Sequence, residues 1–314
     1  MAGPATGLEG RAAVITERSG LGALVATVRE AEDLGLEAAF IGEGASEPDA
    51  MVRSAAALLA TRRIRVGPGV VNAQERHPAT LARGAAGLDR LAPGRALLGI
   101  GRGDPVHLEQ TLGLPASLAG AALEDSLRIL APLLRGEGVA HRGRRWSASL
   151  EAPRGDAAAE RAVPLVCAAV GERTLRLAGE LAGAVMLNYG APPEYVRWAV
   201  ARVREGAERA GRDPGSVDIL GIVLVARTDL PGGGEALARV QATLEFVLGI
   251  PDQAAALTAQ VGGPPARVDG QAAGRLAAVG SLDQVRTRLE VYREAGLSCV
   301  VLLPSGMRAL ARQA

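Results

Sequence analysis

The sequence predicts a single domain folded as a (β/α)8 barrel. Eight short runs of almost entirely apolar residues recur along the 314 residues, and amphipathic helical patterns separate them. Strands that are apolar at nearly every position are typical of parallel sheets covered on both faces. Eight such units fit a closed barrel better than an open sheet, and polar residues and glycines concentrate just after the runs, where barrels carry their chemistry.

The eight predicted strands follow one another along the whole chain. In order they are Ala12–Thr16, Ala38–Gly42, Ile64–Val71, Ala96–Gly101, Leu165–Ala169, Ala184–Asn188, Asp218–Arg227 and Ser298–Leu303. The helical patterns between them include "LGALVATVREAEDLG", "DAMVRSAAALLATRR", "ATLARGAAGLDRLAPG" and "AALEDSLRILAPLLRG". The first strand has the weakest signal, because its run is short and flanked by charge.

Two segments interrupt the alternation of strands and helices. Gly136–Pro153 is polar and rich in turn residues, which predicts an excursion before the fifth strand. Leu230–Gly280 carries glycine and proline clusters around helical stretches, which predicts an insertion between strands seven and eight that covers the barrel mouth. No domain boundary is indicated, so residues 1–314 are expected to form one domain.

Composition excludes several classes of function. All 35 basic residues are arginine, because the sequence contains no lysine. Enzymes that use a Schiff base or pyridoxal phosphate, and nucleotidases of the Walker-A type, need a lysine amine and are therefore excluded. Aromatic residues make up 2% and the formal net charge is +1, so nothing favours a nucleic acid or a membrane surface as partner.

The N-terminus and the scarce metal-ligating residues predict further absences. "MAGPATGLEGRAAV" lacks a basic segment followed by an apolar one, and no apolar run reaches the length of a membrane span, so we expect a cytoplasmic protein. The three histidines have no metal-ligand spacing, which predicts that no metal is bound. Cys167 and Cys299 lie inside apolar runs and are predicted to be buried.

The segment "GIGRGDP" follows the fourth predicted strand. Its G-x-G-x-G spacing, with Asp-Pro interrupting entry into a helix, is not that of a dinucleotide-binding fingerprint. Arg102 lies between two glycines with no local partner, which favours contact with an anion or a cofactor. Asp104, followed by Pro105, is consistent with a helix N-cap, with catalysis, or with both.

The segment "AAVGERTLRLAG" predicts a strand end, a glycine and a helix start over Ala168–Gly179. Free N–H groups at such a helix start bind phosphate without any lysine. Arg173 and Thr174 would add a charge-assisted and a hydroxyl hydrogen bond. The segment favours a phosphate site over an ordinary turn.

Two further segments carry candidate residues with open roles. "GPGVVNAQERHP" ends the third strand with Asn72, and its His77 precedes a proline, which fits either a general base or a helix-entry residue. Glu43, which closes "AAFIGEG", fits either a catalytic carboxylate or the ion-pair partner of a neighbouring arginine.

Taken together, several segments resemble the bacterial luciferase-like superfamily. Within it the likeness is to the methylenetetrahydromethanopterin reductase-like branch, which uses the deazaflavin coenzyme F420. The segments that carry it are "AEDLGLEAAFIGE", "ATRRIRVGPGVVNAQERHPATLA", "LDRLAPGRALLGIGRGD", "LEDSLRILAPLLRGEGV", "GERTLRLAGELAGAVMLN", "AGRDPGSVDI" and "VGSLDQVRTRLEVYREAGLSCVVLLP".

The resemblance implies a barrel with the cofactor ring at its mouth and the cofactor phosphate beside strands four and five. It implies that Arg102 meets the cofactor, that Asp104 lies near the ring and that Val170–Thr174 bind the phosphate. It also implies a non-prolyl cis peptide at Gly69-Val70 behind the ring, and an acidic residue, here Glu43, at the end of strand two. The first strand departs from the family pattern, and the usual aromatic-rich wall of the site is missing.

Three functions follow as hypotheses. The first is an F420-dependent oxidoreductase that moves a hydride between deazaflavin C5 and a small or medium organic substrate, with Asp104 or Glu43 handling the coupled proton. The second is an FMN-dependent monooxygenase that needs a partner reductase. The third is a cofactor-free cyclase, isomerase or binding protein on the same barrel. The resemblance and the alanine-rich helix "MVRSAAALLATRR" also suggest a homodimer.

The predicted site comprises three catalytic and thirteen cofactor-binding residues. The predicted catalytic residues are Asp104, Glu43 and His77. The predicted cofactor-binding residues are Gly69, Val70, Asn72, Gly101, Arg102, Gly103, Ala169, Val170, Gly171, Glu172, Arg173, Thr174 and Asn188.

Overall fold

Parallel strands form the centre of the chain in the computed structural model, which describes residues 7–8, 10–15, 20–44, 47–155 and 161–312. The barrel strands are β1 (Arg11–Ile15), β2 (Ala38–Ile41), β3 (Arg65–Pro68), β4 (Val71–Asn72), β5 (Leu98–Gly101), β8 (Leu165–Ala168), β9 (Ala184–Leu187), β10 (Asp218–Ile222) and β13 (Cys299–Leu302). All eight predicted strands are present, but the third and the seventh are each divided in two, and Thr16 lies outside the described residues.

These strands form a nearly closed parallel barrel. Their order in the sheet is β3-β2-β1-β13-β10-β9-β8-β5-β4. β3 and β4 are two halves of the predicted third strand. β3 pairs with β2, and β4 pairs with β5. A further bridge between Val66 and Ala96 joins β3 to the fourth strand, so the ends of the sheet meet.

The helices alternate with the strands and surround them. They are α1 (Leu21–Asp33), α2 (Ala50–Ala60), α3 (Pro78–Leu91), α4 (Ala119–Leu133), α5 (Glu172–Leu181), α6 (Pro193–Arg209), α7 (Gly233–Leu248), α8 (Pro251–Thr258), α9 (Gly270–Leu276), α10 (Leu282–Glu294) and α11 (Pro304–Ala311). None of the helices in the described ranges is long and apolar enough to cross a membrane.

Successive residues of each strand belong to two different cores. In β1, Ala12 and Val14 face the barrel interior, whereas Ala13 and Ile15 face the surrounding helices. This explains why the strands are apolar at nearly every position. Cys167 and Cys299 are free and buried, as predicted, and burial raises the pKa of each thiol to about 12.

The polar excursion before the fifth barrel strand is a β-hairpin of β6 (Val139–Arg142) and β7 (Ser147–Leu150). Asp125 of α4 holds it, accepting hydrogen bonds from His141 Nε2 at 2.9 Å and from the backbone N–H groups of Arg145 and Trp146 at 2.7 and 3.0 Å. Burial alone would raise the pKa of Asp125, but these hydrogen bonds outweigh it and lower that pKa.

The predicted insertion Leu230–Gly280 contains three helices, α7 to α9, and a short strand. That strand, β12 (Ala278–Gly280), pairs with β11 (Val225–Arg227), which continues the seventh barrel strand after a break. The insertion therefore leaves the barrel at the end of strand seven and returns before α10 and strand eight.

Candidate active site

A cavity of about 420 Å³ opens at the carboxyl ends of the barrel strands. This is the end at which barrels carry their functional groups, and the volume lies within the usual range for small-molecule sites. Its lining residues are Val14, Gly42, Glu43, Gly69, Val70, Gly101, Arg102, Gly103, Asp104, Ala168, Ala169, Val170, Gly171, Thr174, Met186, Asn188, Tyr189, Ile222, Gln253 and Ala256. Twelve of the sixteen predicted site residues are in this set; Asn72, His77, Glu172 and Arg173 are not.

The floor of the cavity is bare backbone beside a valine side chain. The peptide bond Gly69-Val70 is cis, which confirms the expectation from the family resemblance. A Cβ added to Gly101 would lie 2.8 Å from Val70 Cγ2 and 3.4 Å from the Ala168 side chain. Only glycine at position 101 therefore allows Val70 and Ala168 to pack this closely against the strand.

Gly103 and Asn72 shape the loop that follows β5. Gly103 has φ of +82°, a backbone conformation that L side chains rarely adopt, and a Cβ there would meet Asn72 Nδ2 at 2.1 Å. Asn72 is itself buried, and its Oδ1 accepts a hydrogen bond from the Gln74 backbone N–H at 2.9 Å. Asn72 thus supports the loop from behind rather than facing the cavity.

The two charged residues of this loop differ in their surroundings. Arg102 is exposed at the cavity, and within the described ranges it makes no ion pair or hydrogen bond. Asp104 is half-buried, and its Oδ1 accepts a hydrogen bond from the Val106 backbone N–H at 2.9 Å. The predicted helix after Asp104 is short and continues as a π-helix over His107–Thr111, a form common at functional sites.

The segment from Ala169 to Thr174 forms a turn at the start of α5. Gly171 is the N-cap residue, and no side chain caps the helix, so the N–H groups of its first turn are free of side-chain partners. The Tyr195 hydroxyl, from α6, donates a 2.6 Å hydrogen bond to the Val170 carbonyl and fixes the turn. Burial raises the pKa of Tyr195, so the hydroxyl keeps its proton.

Glu172 and Arg173 point away from the cavity. Arg173 is 86% exposed and pairs with Glu124 of α4 at 2.7 Å. Glu172 pairs with Arg176 at 2.5 Å and lies 3.7 Å from Arg202. Both side chains tie α5 to neighbouring helices, so in this geometry the turn offers its backbone and Thr174 to a ligand.

Glu43 lies at the cavity, and both of its carboxylate oxygens are engaged. Arg76 donates from Nη1 to Oε2 at 2.8 Å and from Nη2 to Oε1 at 2.6 Å, and the Ala50 N–H donates to Oε1 at 3.3 Å. Arg76 also pairs with Asp49 at 2.7 Å, and hydrogen bonding to Glu43 raises the pKa of Arg76. Glu43 is therefore the ion-pair partner of a neighbouring arginine, which is one of the two roles predicted for it.

His77 is the N-cap residue of α3, which is the helix-entry alternative considered for it. Its Nδ1 accepts a hydrogen bond from the Ala79 N–H at 3.2 Å, and its Nε2 lies 3.1 Å from the Ser147 carbonyl of the hairpin. Both ring nitrogens serve the structure, and the side chain does not line the cavity.

The wall formed by strands one, six and seven contains residues that the sequence patterns did not identify. These are Val14, Met186, Tyr189, Ile222 and, from α8 of the insertion, Gln253 and Ala256. The predicted residue Asn188 lies here too, and its Nδ2 donates to Gln253 Oε1 at 2.7 Å. Asn188 ends the sixth predicted strand and Tyr189 directly follows it, and that position was the only signal for Tyr189.

The arrangement fits a planar, anionic cofactor. The glycine floor accepts a flat ring, while unpaired Arg102 and the uncapped start of α5 both suit a phosphate group. A metal site is a different matter: no group of three or more His, Cys, Asp or Glu side chains in the described part of the chain is placed to hold an ion.

Comparison with known proteins gives a family and several relatives. The family model for luciferase-like monooxygenases matches residues 5–299. The 5,10-methylenetetrahydromethanopterin reductase of Methanopyrus kandleri is 28% identical over 206 residues, 61% of this chain and 58% of that protein. An F420-dependent glucose-6-phosphate dehydrogenase of Microbacterium testaceum is 31% identical over 203 residues, 60% of each chain. The alignments thus span about three fifths of these relatives.

Solved structures share the fold over almost the whole chain. The coenzyme F420-dependent tetrahydromethanopterin reductase of Methanopyrus kandleri superposes with a TM-score of 0.76 at 24% identity, covering 96% of this chain and 95% of that one. The oxygenating constituent of 3,6-diketocamphane monooxygenase from Pseudomonas putida, solved with FMN, gives a TM-score of 0.72 at 20% identity, covering 93% and 91%. At these identities the likeness establishes the fold.

Proposed function

The chain belongs to the luciferase-like monooxygenase family, and within it we propose that this protein is an F420-dependent oxidoreductase acting on a small or medium organic substrate. When bound, the deazaflavin would supply hydride transfer at its C5 atom. The observation that carries the proposal is a single cavity that combines an open glycine floor, an unpaired arginine and an uncapped helix start.

The residues of the cavity divide into those that would hold the ring and those that would hold the phosphate. Val70 and Gly101, which lie side by side at the cavity, would lie against the ring. Arg102 and the turn Val170–Thr174 offer a guanidinium, backbone N–H groups and the Thr174 hydroxyl to the phosphate. Relatives whose names carry F420 dependence support the deazaflavin over other anionic planar cofactors.

Asp104 is the better candidate of the two carboxylates for the coupled proton. Its Oδ1 accepts one hydrogen bond, from Val106, and within the described ranges Oδ2 has no protein partner. Both Glu43 oxygens are held by Arg76, so Glu43 could take a proton only by giving up that ion pair. We therefore propose Asp104 as the proton-handling group and Glu43 as part of the support of the site.

An FMN-dependent monooxygenase is the second candidate function. It is favoured by the family description and by the FMN-bound structure from Pseudomonas putida, which shares the barrel. The same floor would take the flavin ring, and Arg102 and the start of α5 would take its phosphate. The activity would also need a partner reductase. The cofactor-free alternative would be favoured by a cavity filled with side chains, whereas this cavity is open.

Titration of the purified protein with F420 and, separately, with FMN tests the proposal. Quenching of F420 fluorescence should give a Kd at least tenfold below that for FMN, because the site would hold the deazaflavin as its resident cofactor. Tighter binding of FMN would transfer the proposal to the monooxygenase. Binding of neither cofactor would overturn both.

Three further expectations remain predictions. They are the cytoplasmic location, the homodimer, and the role of residues 230–280 as a cover over the barrel mouth. The cover is supported by Gln253 and Ala256 of α8, which line the cavity.

A further inference from the structure

The wall of the cavity formed by strands one, six and seven and by α8 carries two polar groups that have no protein partner. One is the hydroxyl of Tyr189, which lies just after β9, and the other is the amide Nε2 of Gln253 from α8. Within the described ranges, neither group makes a hydrogen bond to protein. Both residues are half-buried at the cavity, so a ligand with an oxygen acceptor that enters it would give each donor a partner.

The position of the Tyr189 ring is fixed by packing. The ring packs against all three apolar clusters of the molecule: the barrel interior, the layer between the sheet and the helices, and the cluster under the insertion. Burial also raises the pKa of Tyr189, so its hydroxyl stays protonated and available as a donor. Tyr195 offers a contrast, since its hydroxyl is already bound to the Val170 carbonyl at 2.6 Å.

A chain of hydrogen bonds fixes the orientation of the Gln253 amide. The Tyr189 backbone N–H donates to Asn188 Oδ1 at 2.9 Å, so the other amide atom of Asn188 is the donor Nδ2. That Nδ2 donates to Gln253 Oε1 at 2.7 Å. The oxygen of Gln253 is therefore occupied, and its NH2 group, which only donates, is the free end.

Apart from Asn188, whose amide is already bound to Gln253 and to the Tyr189 backbone, the remaining side chains of this wall are apolar. Val14, Met186, Ile222 and Ala256 surround the two polar groups, and none of them carries a charge. Two neutral donors set in an apolar wall are complementary to an uncharged molecule with one oxygen acceptor. A phosphate or carboxylate here would lack the cation that its charge requires.

We infer that Tyr189 and Gln253 bind the oxygen atom of a neutral carbonyl or alcohol substrate, whose hydrocarbon part rests on the apolar wall. The inference rests on the proposed function, because it places the substrate on this wall and the cofactor on the glycine floor. It also assigns the insertion a direct role in substrate choice, since α8 supplies Gln253.

A matched pair of probes tests the inference. Cyclohexanone and methylenecyclohexane have nearly the same shape, but only the ketone has an oxygen acceptor. Their binding is measured by saturation-transfer NMR, with and without saturating F420, and F420 affinity is measured separately by fluorescence. The wild type should prefer the ketone by about 2- to 12-fold for each hydrogen bond formed.

Three variants separate the possible roles. Tyr189→Phe should remove its share of the ketone preference, about 2- to 12-fold, and leave F420 affinity unchanged. Gln253→Glu keeps the acceptor for Asn188 while removing the donor, and should also lower the preference. Tyr195→Phe should keep the ketone preference and weaken F420 binding, because it loosens the Val170 turn.

Each outcome decides the matter. An unchanged ketone preference in Tyr189→Phe overturns the inference, and so does a wild type that binds both probes equally. A loss of F420 affinity in Tyr189→Phe would show that the hydroxyl contacts the cofactor instead, which also overturns it. Failure of the wild type to bind F420 would refute the proposed cofactor, while the comparison on the F420-free protein would still decide the role of Tyr189.

Discussion

Replacing Arg102 by alanine should weaken cofactor binding without weakening the fold. The side chain is exposed and makes no contact with a charged or hydrogen-bonding partner in the described ranges, so its removal breaks no native interaction. The free energy of unfolding should therefore change by less than about 0.5 kcal/mol. Hydrogen bonds to a charged group contribute about 1.5–3 kcal/mol, so the Kd for F420 should rise about 10- to 150-fold.

Arg173 provides a matched control for this experiment. It lies in the first turn of α5, but it is 86% exposed and pairs with Glu124 rather than facing the cavity. Arg173→Ala should thus change the Kd for F420 by less than about twofold, since an exposed ion pair contributes at most about 1 kcal/mol even to folding. Fluorescence quenching by titration gives both constants, and urea unfolding gives the stability. Equal Kd values for Arg102→Ala and wild type would show that Arg102 does not bind the cofactor. A large loss of F420 affinity in Arg173→Ala alone would show that the phosphate binds on the outer side of the turn.

Four other substitutions, at three places in the structure, have defined outcomes. Asp104→Asn keeps the helix-capping acceptor, so the protein should fold and bind F420 normally. If Asp104 handles a proton, turnover of any substrate found should fall by about 10²- to 10⁴-fold. Full turnover would show that Asp104 is only a helix cap. Glu43→Gln and Arg76→Met should each lower the free energy of unfolding by about 1.5–3 kcal/mol. The double variant should lower it by clearly less than the sum of the two, because both changes remove the same ion pair. Additive effects in urea unfolding would show that the two residues are not coupled. Asp125→Asn should lower stability at pH 7, because hydrogen bonds lower the pKa of Asp125 in the folded state. That difference should be complete above about pH 4 and shrink as the pH falls through the folded-state pKa; a pH-independent difference would contradict it.

The barrel could be predicted from the sequence because its signal is repeated and physical. Each parallel strand is covered on both faces, so almost all of its residues are apolar, and the pattern recurs eight times. The breaks inside strands three and seven could not be predicted in this way. The residues of Asp218–Arg227 are all compatible with one strand, and only the departure of β11 to pair with β12 shows that the strand divides.

Most residues on the proposed cofactor side line the cavity as the sequence predicted, because that side depends on backbone. Glycine at 101 and at 103 is required by close approach and by a positive φ, and such requirements leave a mark in the sequence. Arg173 shows the limit of that reasoning. Its position in the first turn of α5 was read correctly, but the direction of its side chain depends on Glu124, a residue 49 positions away.

The proposed substrate side has the opposite character, because it depends on side chains that tertiary contacts bring together. Tyr189 and Gln253 are 64 residues apart in the numbering and belong to different elements, one at a strand end and one on an inserted helix. Nothing local requires either residue type, so no periodicity or turn rule indicates them. Asn188 joins the two residues: its Oδ1 accepts from the Tyr189 backbone N–H, and its Nδ2 donates to the Gln253 side chain. A side-chain amide can accept and donate at the same time. The barrel thus presents a backbone-built surface on strands three to five and a side-chain-built surface on strands six and seven. A cofactor shared by many enzymes suits the first surface, and a substrate particular to one enzyme suits the second.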